Sequence, residues 1–459
     1  MSVILSHGTY DEEFAVHVAE GVYDYETSDG FPGWHPAGDR MPLPYGTWID
    51  DAMPGVMAML ASNPDAAQQF FTSGSAYQSS VHNDTITIKV NGQDVEVNSR
   101  LAYLLTQRDW SRGLLGMSDD GDALGRALLA ATTAYRNPDA PSSYTSASLT
   151  SQVIALLGER TRQPDGWEMP QGMRDDIALI VADYTSSMFA AEKQGWYVDM
   201  SGPLWKDISA DFPGSPVGAK FTEEDMDAIL RTLGKNPKET AILGAGWTTA
   251  MTAYLSNQVS MDYPDPQDRL DALRGIDDGL LKDQISLSSA VLDKIMNNAF
   301  KGNGDDAALQ AQKAALTTAI LNVVVAGAIP VVSQVTKLKD LSQQILEEAG
   351  NQTVDWLAEQ GGDHGAEANN QALQKYNQQI DKTAQKMVIR VLFDAGFWDP
   401  DTVNLANQGD PTVKFTTPPT NEDGTLNQDC AEYWTWLNSE SRMRSTVESA
   451  VHSAYSVER

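Results

Sequence analysis

The chain has 459 residues, 41% hydrophobic and 21% charged, with eleven Trp and eleven Phe, enough apolar mass for two or three ordinary cores and too much for wholesale disorder. Its 63 acidic residues against 32 basic ones leave a formal charge of −31, a field that repels phosphate backbones and anionic lipid. The densest basic stretches, Lys337 to Lys339 and Arg442 to Arg444, hold two charges each, so nucleic acid is not expected as a partner.

The N-terminus, Met1-Ser-Val-Ile-Leu-Ser-His7, has no basic region followed by a long apolar run. No conventional signal peptide is expected, which leaves the cytoplasm or a non-classical export route. Residues 1–50 read as a short helix around Phe14, Val18 and Val22, then a Gly- and Pro-rich loop pinned to a core by Phe31, Trp34 and Trp48. Met53, Val56, Met57 and Leu60 fall on one helical face. Two alternating runs flank Asn91-Gly92, the pair that best tolerates positive φ at both turn positions, and predict a β-hairpin over residues 85–98. A lone hairpin is marginal in water, so its apolar face should rest on helices.

Helical patterns follow at residues 101–110, 123–135, 149–157 and 173–189, the last with a stripe of Met173, Ile177, Ile180, Tyr184 and Met188. Residues 196–215 mix Trp, Gly and Pro and read as an ordered loop. The stretches 53–64 and 226–237 echo each other: each is a helical run, then Asn-Pro, then another helical run. Asn is a good N-cap and proline suits the first helical position, so both predict a tight helix–corner–helix, by duplication or by convergence.

From about Gly275 the pattern shifts to long helices, with Leu281, Ile285, Leu292 and Ile295 on one face. A narrow seam of Leu373, Tyr376, Ile380, Ala384, Met387 and Val391 comes later. Residues 400–428 read as loop, and Tyr433, Leu437, Met443, Val447, Val451 and Tyr455 mark a final helix. The expected fold class is mainly α: a multi-helix array with one small β-hairpin, then a long-helix bundle. Four parts are expected. Residues 1–145 hold the hairpin, 146–270 the Asn-Pro corner, 271–399 the bundle, and 400–459 the loop and last helix.

Residues 314–336 contain no charge and are long enough as a helix to cross roughly 30 Å of hydrocarbon. Thr317, Thr318, Asn322 and Gln334 dilute the apolarity, Pro330 interrupts it and no aromatic belt flanks it. A helix buried within a bundle is the first reading, with a break near Gly327 to Pro330, and membrane insertion is the second.

The six histidines, His7, His17, His35, His82, His364 and His452, form no His-Glu-x-x-His arrangement. His17 and Glu20 share a possible helix face but read as a surface contact. Cys430 stands alone and can build neither an internal disulfide nor a thiolate metal site. Gly244-Ala-Gly246 is followed by the bulky Trp247, against phosphate cradling. The acidic runs Asp262 to Asp271 and Asp119 to Asp122 offer oxygen ligands to calcium, but read first as helix starts. No catalytic, cofactor-binding or metal-ligating residue is assigned, and no cofactor is expected.

The order of motifs resembles an uncharacterised actinobacterial family of acidic helical proteins. The residues that carry it are Ala19-Glu-Gly-Val-Tyr-Asp-Tyr-Glu26, the 53–64 helix, Leu101-Ala-Tyr-Leu-Leu-Thr-Gln-Arg-Asp-Trp110, Ala123-Leu-Gly-Arg-Ala-Leu-Leu-Ala-Ala-Thr-Thr133, Met173-Arg-Asp-Asp-Ile177 and the 226–237 corner, over the first two-thirds of the chain. Members often carry a WXG100-like helical hairpin ahead of this region, which implies the secretion pathway that uses such hairpins, or toxin delivery. Tyr25-Glu-Thr-Ser-Asp29 has the Tyr-x-x-x-Asp spacing of that pathway's signal, but it leads into a Gly/Pro loop and the chain has no Trp-x-Gly turn. The expected function is that of a non-enzymatic structural or interaction protein with an unidentified protein partner. A membrane-active protein using residues 314–336 and an enzyme of unrecognised class are the alternatives.

Overall fold

The computed structural model describes residues 8–31, 41–42, 48–49, 51–72, 85–110, 119–135, 140–273, 280–300, 307–326 and 335–359, with Leu5 and Thr383 as isolated positions. Two compact units share the chain. One comprises Met1–Ser187, Gln194–Ser209 and Gly214–Glu239; the other comprises Met188–Lys193, Ala210–Pro213 and Thr240–Arg459. The fold is mainly α, and its strands pair only as two-stranded antiparallel sheets among the described residues.

The first unit opens with α1 (Glu12–Thr27), whose N-cap Asp11 accepts from the Phe14 N–H while Glu12 and Glu13 complement the helix dipole. Its buried face is not the one marked by Phe14, Val18 and Val22. Ala15, Val16, Ala19, Glu20, Tyr23 and Glu26 turn inward instead, and Phe14 is 45% exposed. That inner face packs on α2 (Met53–Ala61) and α3 (Pro64–Thr72), where Phe70 and Phe71 are fully buried. Each such ring contributes on the order of 1.5–3 kcal/mol.

Between α2 and α3 the corner forms as its sequence requires: the Asn63 side chain accepts from the Ala66 N–H, and Pro64 opens α3. A short ribbon, β1 (Met41–Pro42) with β2 (Trp48–Ile49), precedes α2.

The hairpin is β3 (Thr85–Val90) and β4 (Gln93–Asn98), in the register Val90↔Gln93 to Thr85↔Asn98. Asn91 and Gly92 both have positive φ, 46° and 77°. Val90, Val95 and Val97 on its inner face are buried, and burial fades toward Ile86. The Gln93 side chain donates to the Val198 carbonyl and accepts from the Met200 N–H, so residues 198–200 lie along the hairpin. Asn98 then caps α4 (Ser99–Ala102), which ends in a π-helical turn at Tyr103–Gln107.

Behind these stand α5 (Asp122–Thr133), α6 (Pro141–Arg162) and α7 (Arg174–Asp183), preceded by a 3₁₀ turn at Gln171–Met173. The apolar stripe from Met173 to Met188 is wholly buried, yet it does not belong to one helix. At Tyr184 the backbone leaves the helical region (φ −101°, ψ 18°), and α8 (Thr185–Glu192) starts anew. The Tyr184 hydroxyl donates to the Thr132 carbonyl, anchoring the break. Within residues 196–215 a strand, β5 (Trp205–Asp207), pairs with β6 (Val217–Ala219). α9 (Glu223–Leu233) is capped by Thr222, packs on α6, and runs so close that a Cβ at Gly158 would lie 2.7 Å from the Asp225 Cβ. The second corner follows, with Asn236 accepting from the Lys238 N–H and Pro237 opening α10 (Pro237–Asp262).

The second unit contains most of α10, then α11 (Pro266–Leu273), α12 (Leu280–Phe300), α13 (Ala307–Ala326) and α14 (Val335–Glu359). Ile285, Leu292 and Ile295 share the buried face of α12. Residues 314–321 of α13 are buried without exception, and α13 packs on α12 and α14. A Cβ on Gly244 of α10 would lie 2.5 Å from Ile320 Cδ1, so glycine lets those two helices approach. No helix is long and apolar enough to cross a membrane among the described residues. The break expected near Gly327 to Pro330, the 373–391 seam, the 400–428 loop and the last helix lie outside the described residues.

Candidate functional site

Glu20 and Glu26 occupy inward positions of α1 that apolar spacing would give to leucine. Each meets an arginine from the α4 region. The Arg100 guanidinium donates to Glu20 at 3.1 Å and to the Phe70 carbonyl at 3.0 Å, and its carbon lies 5.1 and 5.5 Å from the ring centroids of Phe70 and Tyr23. Arg108 donates from Nε to Glu26 at 2.7 Å and from Nη2 to Asp51, just before α2. The side chains of all five residues are 3% exposed or less.

The remaining valences are filled locally. Tyr103 donates its hydroxyl to Glu26 at 2.6 Å, and the Met53 N–H donates to Asp51 at 2.9 Å. Trp110 lies over the Arg108 guanidinium, 4.1 Å from ring centroid to carbon, with its own N–H on the Leu104 carbonyl. The π-turn places these groups: Arg108 N–H reaches back to the Tyr103 carbonyl, five residues earlier. The extra residue in that turn sets Tyr103 and Arg108 on the same carboxylate.

Burial pushes the Asp51 carboxyl above its ordinary value, although the Arg108 charge and the Met53 N–H pull the other way. Burial works against the charge on Arg108, but Asp51 and Glu26 outweigh it and hold the guanidinium protonated. Burial and the bond to Glu26 raise the Tyr103 phenol. The site fixes charge in place. Three carboxylates and two guanidiniums join α1, the start of α2 and the α4 region into one body, with Phe70 of α3 beneath Arg100.

The other residues weighed from sequence go to structural roles. His17 is exposed and bonds the Glu13 carbonyl, while Glu20 turns inward to Arg100, so the two are not brought together. Asp119 caps the Ala123 N–H, Asp120 accepts from the Gln171 N–H and Asp122 pairs with Arg126. Asp265 accepts from the Gln267 N–H, Asp271 from the Gln267 side chain and Asp262 from Gln284. Gly244 is a helix-packing position within α10. No group of three His, Cys, Asp or Glu side chains could hold a metal ion among the described residues. Cys430, His7, His35, His82, His364 and His452 lie outside them.

Sequence reasoning did not single out this ion cluster, yet Glu20, Glu26, Tyr103, Arg108 and Trp110 all stand in stretches that carried the family resemblance. The signal was there: two glutamates on the Val16–Ala19–Tyr23 face of a helix need buried cations, and Arg100 and Arg108 follow the hairpin. Comparison with curated proteins and with solved structures gave no match. A family model described as a family of unknown function (DUF6571) matches residues 34–432, which take in Asp51, Arg100 and Arg108. The chain belongs to that family.

Proposed function

We propose that this protein is a non-enzymatic interaction protein that presents an acidic helical surface to a protein partner. The observation that carries this reading is the closure of a deeply buried set of ionisable groups on itself: Arg108 engages Glu26 and Asp51 under Trp110, and Arg100 engages Glu20. Groups so engaged hold elements together, and leave the strongly acidic surface to meet partners. The burial of residues 314–321 within the second unit supports a bundle core over membrane insertion.

The finer form of the proposal is an association with WXG100-type secretion or toxin delivery. Tyr25, 52% exposed in the last turns of α1, and Asp29, exposed just beyond it, support it by presenting the Tyr-x-x-x-Asp spacing to solvent. Replacement of Tyr25 by alanine should abolish appearance of the chain in the medium of a producing culture. Undiminished release ends that form of the proposal.

The broader reading is tested by incubating the purified chain with a small-molecule extract, and separately by crosslinking it in a protein extract. A stoichiometric protein complex that weakens with salt, and an unchanged small-molecule profile, are expected. A time-dependent turnover that Asp51→Asn abolishes, with the circular dichroism intact, would overturn it.

A further inference from the structure

We propose that the outer face of α1 is a docking strip for an amphipathic helix whose edge carries lysine or arginine. This names the surface and the partner chemistry for the interaction reading above, and rests on it.

At 100° per residue, Phe14, Val18, Gly21, Val22 and Tyr25 fall within one face of α1, opposite the buried one. Phe14 is 45% and Tyr25 52% exposed, and Val18 and Val22 are half-buried. A helix with one face in a core normally gives the other to charged and polar residues. Here it offers an apolar strip about 17 Å long, from the helical rise over eleven steps.

Aromatic contacts close both ends of the strip. Tyr10 stacks on Phe14 at 5.2 Å between centroids, and Phe31 meets Tyr25 edge to face at 5.4 Å. In the middle, a Cβ added to Gly21 would meet nothing within 4 Å. A partner backbone can therefore approach closely there, as it does where small residues line a helix crossing.

Charge selects the occupant. α1 contains no lysine or arginine, and Glu13, His17 and Asp24 run along one edge of the strip. A second copy of the chain would set like-charged edges together on proteins of formal charge −31. An anionic lipid surface is repelled in the same way. A helix with an apolar face and a basic edge satisfies both halves of the surface. The Glu20–Arg100 and Glu26–Arg108 pairs hold α1 from behind, so the strip is presented preformed.

Two synthetic peptides with the same leucine face, one with lysine and one with glutamate along its edges, test the strip against the full chain. The lysine peptide should bind saturably at one site, and the glutamate peptide should not bind. The double change Val18→Asn/Val22→Asn should weaken the lysine peptide by about tenfold or more, because anchors at the centre of a contact carry most of its affinity. Glu13→Gln/Asp24→Asn should weaken it less and flatten its dependence on salt. Ile86→Asn, at an exposed apolar position of the hairpin, should leave it unchanged, and melting curves establish that each variant folds.

No binding, equal binding of the two peptides, or indifference to Val18→Asn/Val22→Asn would overturn the strip. So would a wild-type dimer that this double change dissolves. A protein complex whose crosslinks map away from α1 would end the strip but leave the interaction reading standing. Turnover of a small molecule would end that reading by itself.

Discussion

Around Arg100 and Arg108 the chain buries three carboxylates and two guanidiniums drawn from positions as distant as Glu20 and Arg108, whereas along α13 the buried Thr317 and Thr318 bond to carbonyls one turn below and the buried cation, Lys313, donates to Asn297 of α12. The ionic cluster ties segments that no local rule would bring together, and it can form in only one arrangement. The threonines ask nothing of their neighbours, so α13 is held between α12 and α14 mainly by packing, with Lys313 bonding Asn297 and Asn322 bonding Glu348 near the two ends of its buried stretch. Buried ion pairs thus weigh heavily in which elements meet in the first unit, and side-chain shape weighs more along residues 314–321 of the second. If this contrast is right, substitutions in the two regions should differ in size and in how they couple.

The largest effect belongs to Arg108→Met. It strands Glu26 and Asp51 without their cation, and breaking a buried pair in this way costs about 3–5 kcal/mol. Removing the stranded charges as well, in Arg108→Met/Glu26→Gln/Asp51→Asn, should return most of that loss. Urea unfolding, with hydrogen exchange at α1 as the local probe, checks both. A single change costing less than about 1 kcal/mol, the size of a surface pair, would show that the cluster is not what joins α1 to the α4 region.

These two regions also show what was legible beforehand. The hairpin and both Asn-Pro corners follow from a few adjacent residues, because their dihedrals and caps are set locally, and Asn91-Gly92, Asn63 and Asn236 behave as read. The helix around Phe14, Val18 and Val22 forms, but apolarity does not tell its inner face, since those residues are larger and more apolar than the buried Ala15 and Ala19. Small residues mark close packing, and two glutamates among them mark buried cations, but their partners lie some 80 residues on, beyond any periodicity. Tyr184 escaped for the opposite reason: its stripe is continuous across the break, and the partner its hydroxyl meets there, the Thr132 carbonyl, lies 52 residues away.

In the second unit Ile320→Ala should cost about 2–4 kcal/mol, the range for a large buried aliphatic side chain cut to alanine. Gly244→Ala alone should also destabilise, since its Cβ would press on Ile320 Cδ1. The two changes made together should cost less than their sum, because the smaller side chain relieves the crowding. Strict additivity would mean that α10 and α13 do not meet through this pair. Neither variant nor the wild type should release dye from liposomes.

Tyr103→Phe returns to the first unit with a smaller effect and a pH signature. At neutral pH it removes a donor from the buried Glu26 and should cost about 2 kcal/mol, the order of a hydrogen bond to a charged group. Burial, then Glu26, raises the Tyr103 pKa above its ordinary value of 10.0, so the folded state holds this proton more tightly than the unfolded chain does. Its contribution is therefore complete below pH 10 and is lost as pH rises toward the folded value. Phenylalanine should flatten the alkaline limb of the stability profile without abolishing it, because burial also raises Tyr23 and Tyr254. An unchanged alkaline limb in Tyr103→Phe would mean that its phenol is not held by the cluster.

The smallest effect is expected where a buried polar group is most dispensable. Thr318 is fully buried, and its hydroxyl donates to the Ala314 carbonyl at 2.9 Å, one turn below on the same helix. That carbonyl is also placed to accept the backbone N–H of the helical ladder, so losing the hydroxyl leaves no acceptor stranded. Valine keeps the branched shape and replaces the hydroxyl with a methyl. Thr318→Val should therefore change stability by less than about 1 kcal/mol in either direction, since removing a satisfied hydroxyl without orphaning its partner is nearly neutral. Thermal melting beside Arg108→Met makes the comparison direct: two polar groups, both buried, differing severalfold in cost because one is bonded locally and the other joins distant segments. A large loss in Thr318→Val would mean that its hydroxyl reaches beyond its own helix, and α13 would then share the logic of the ionic cluster.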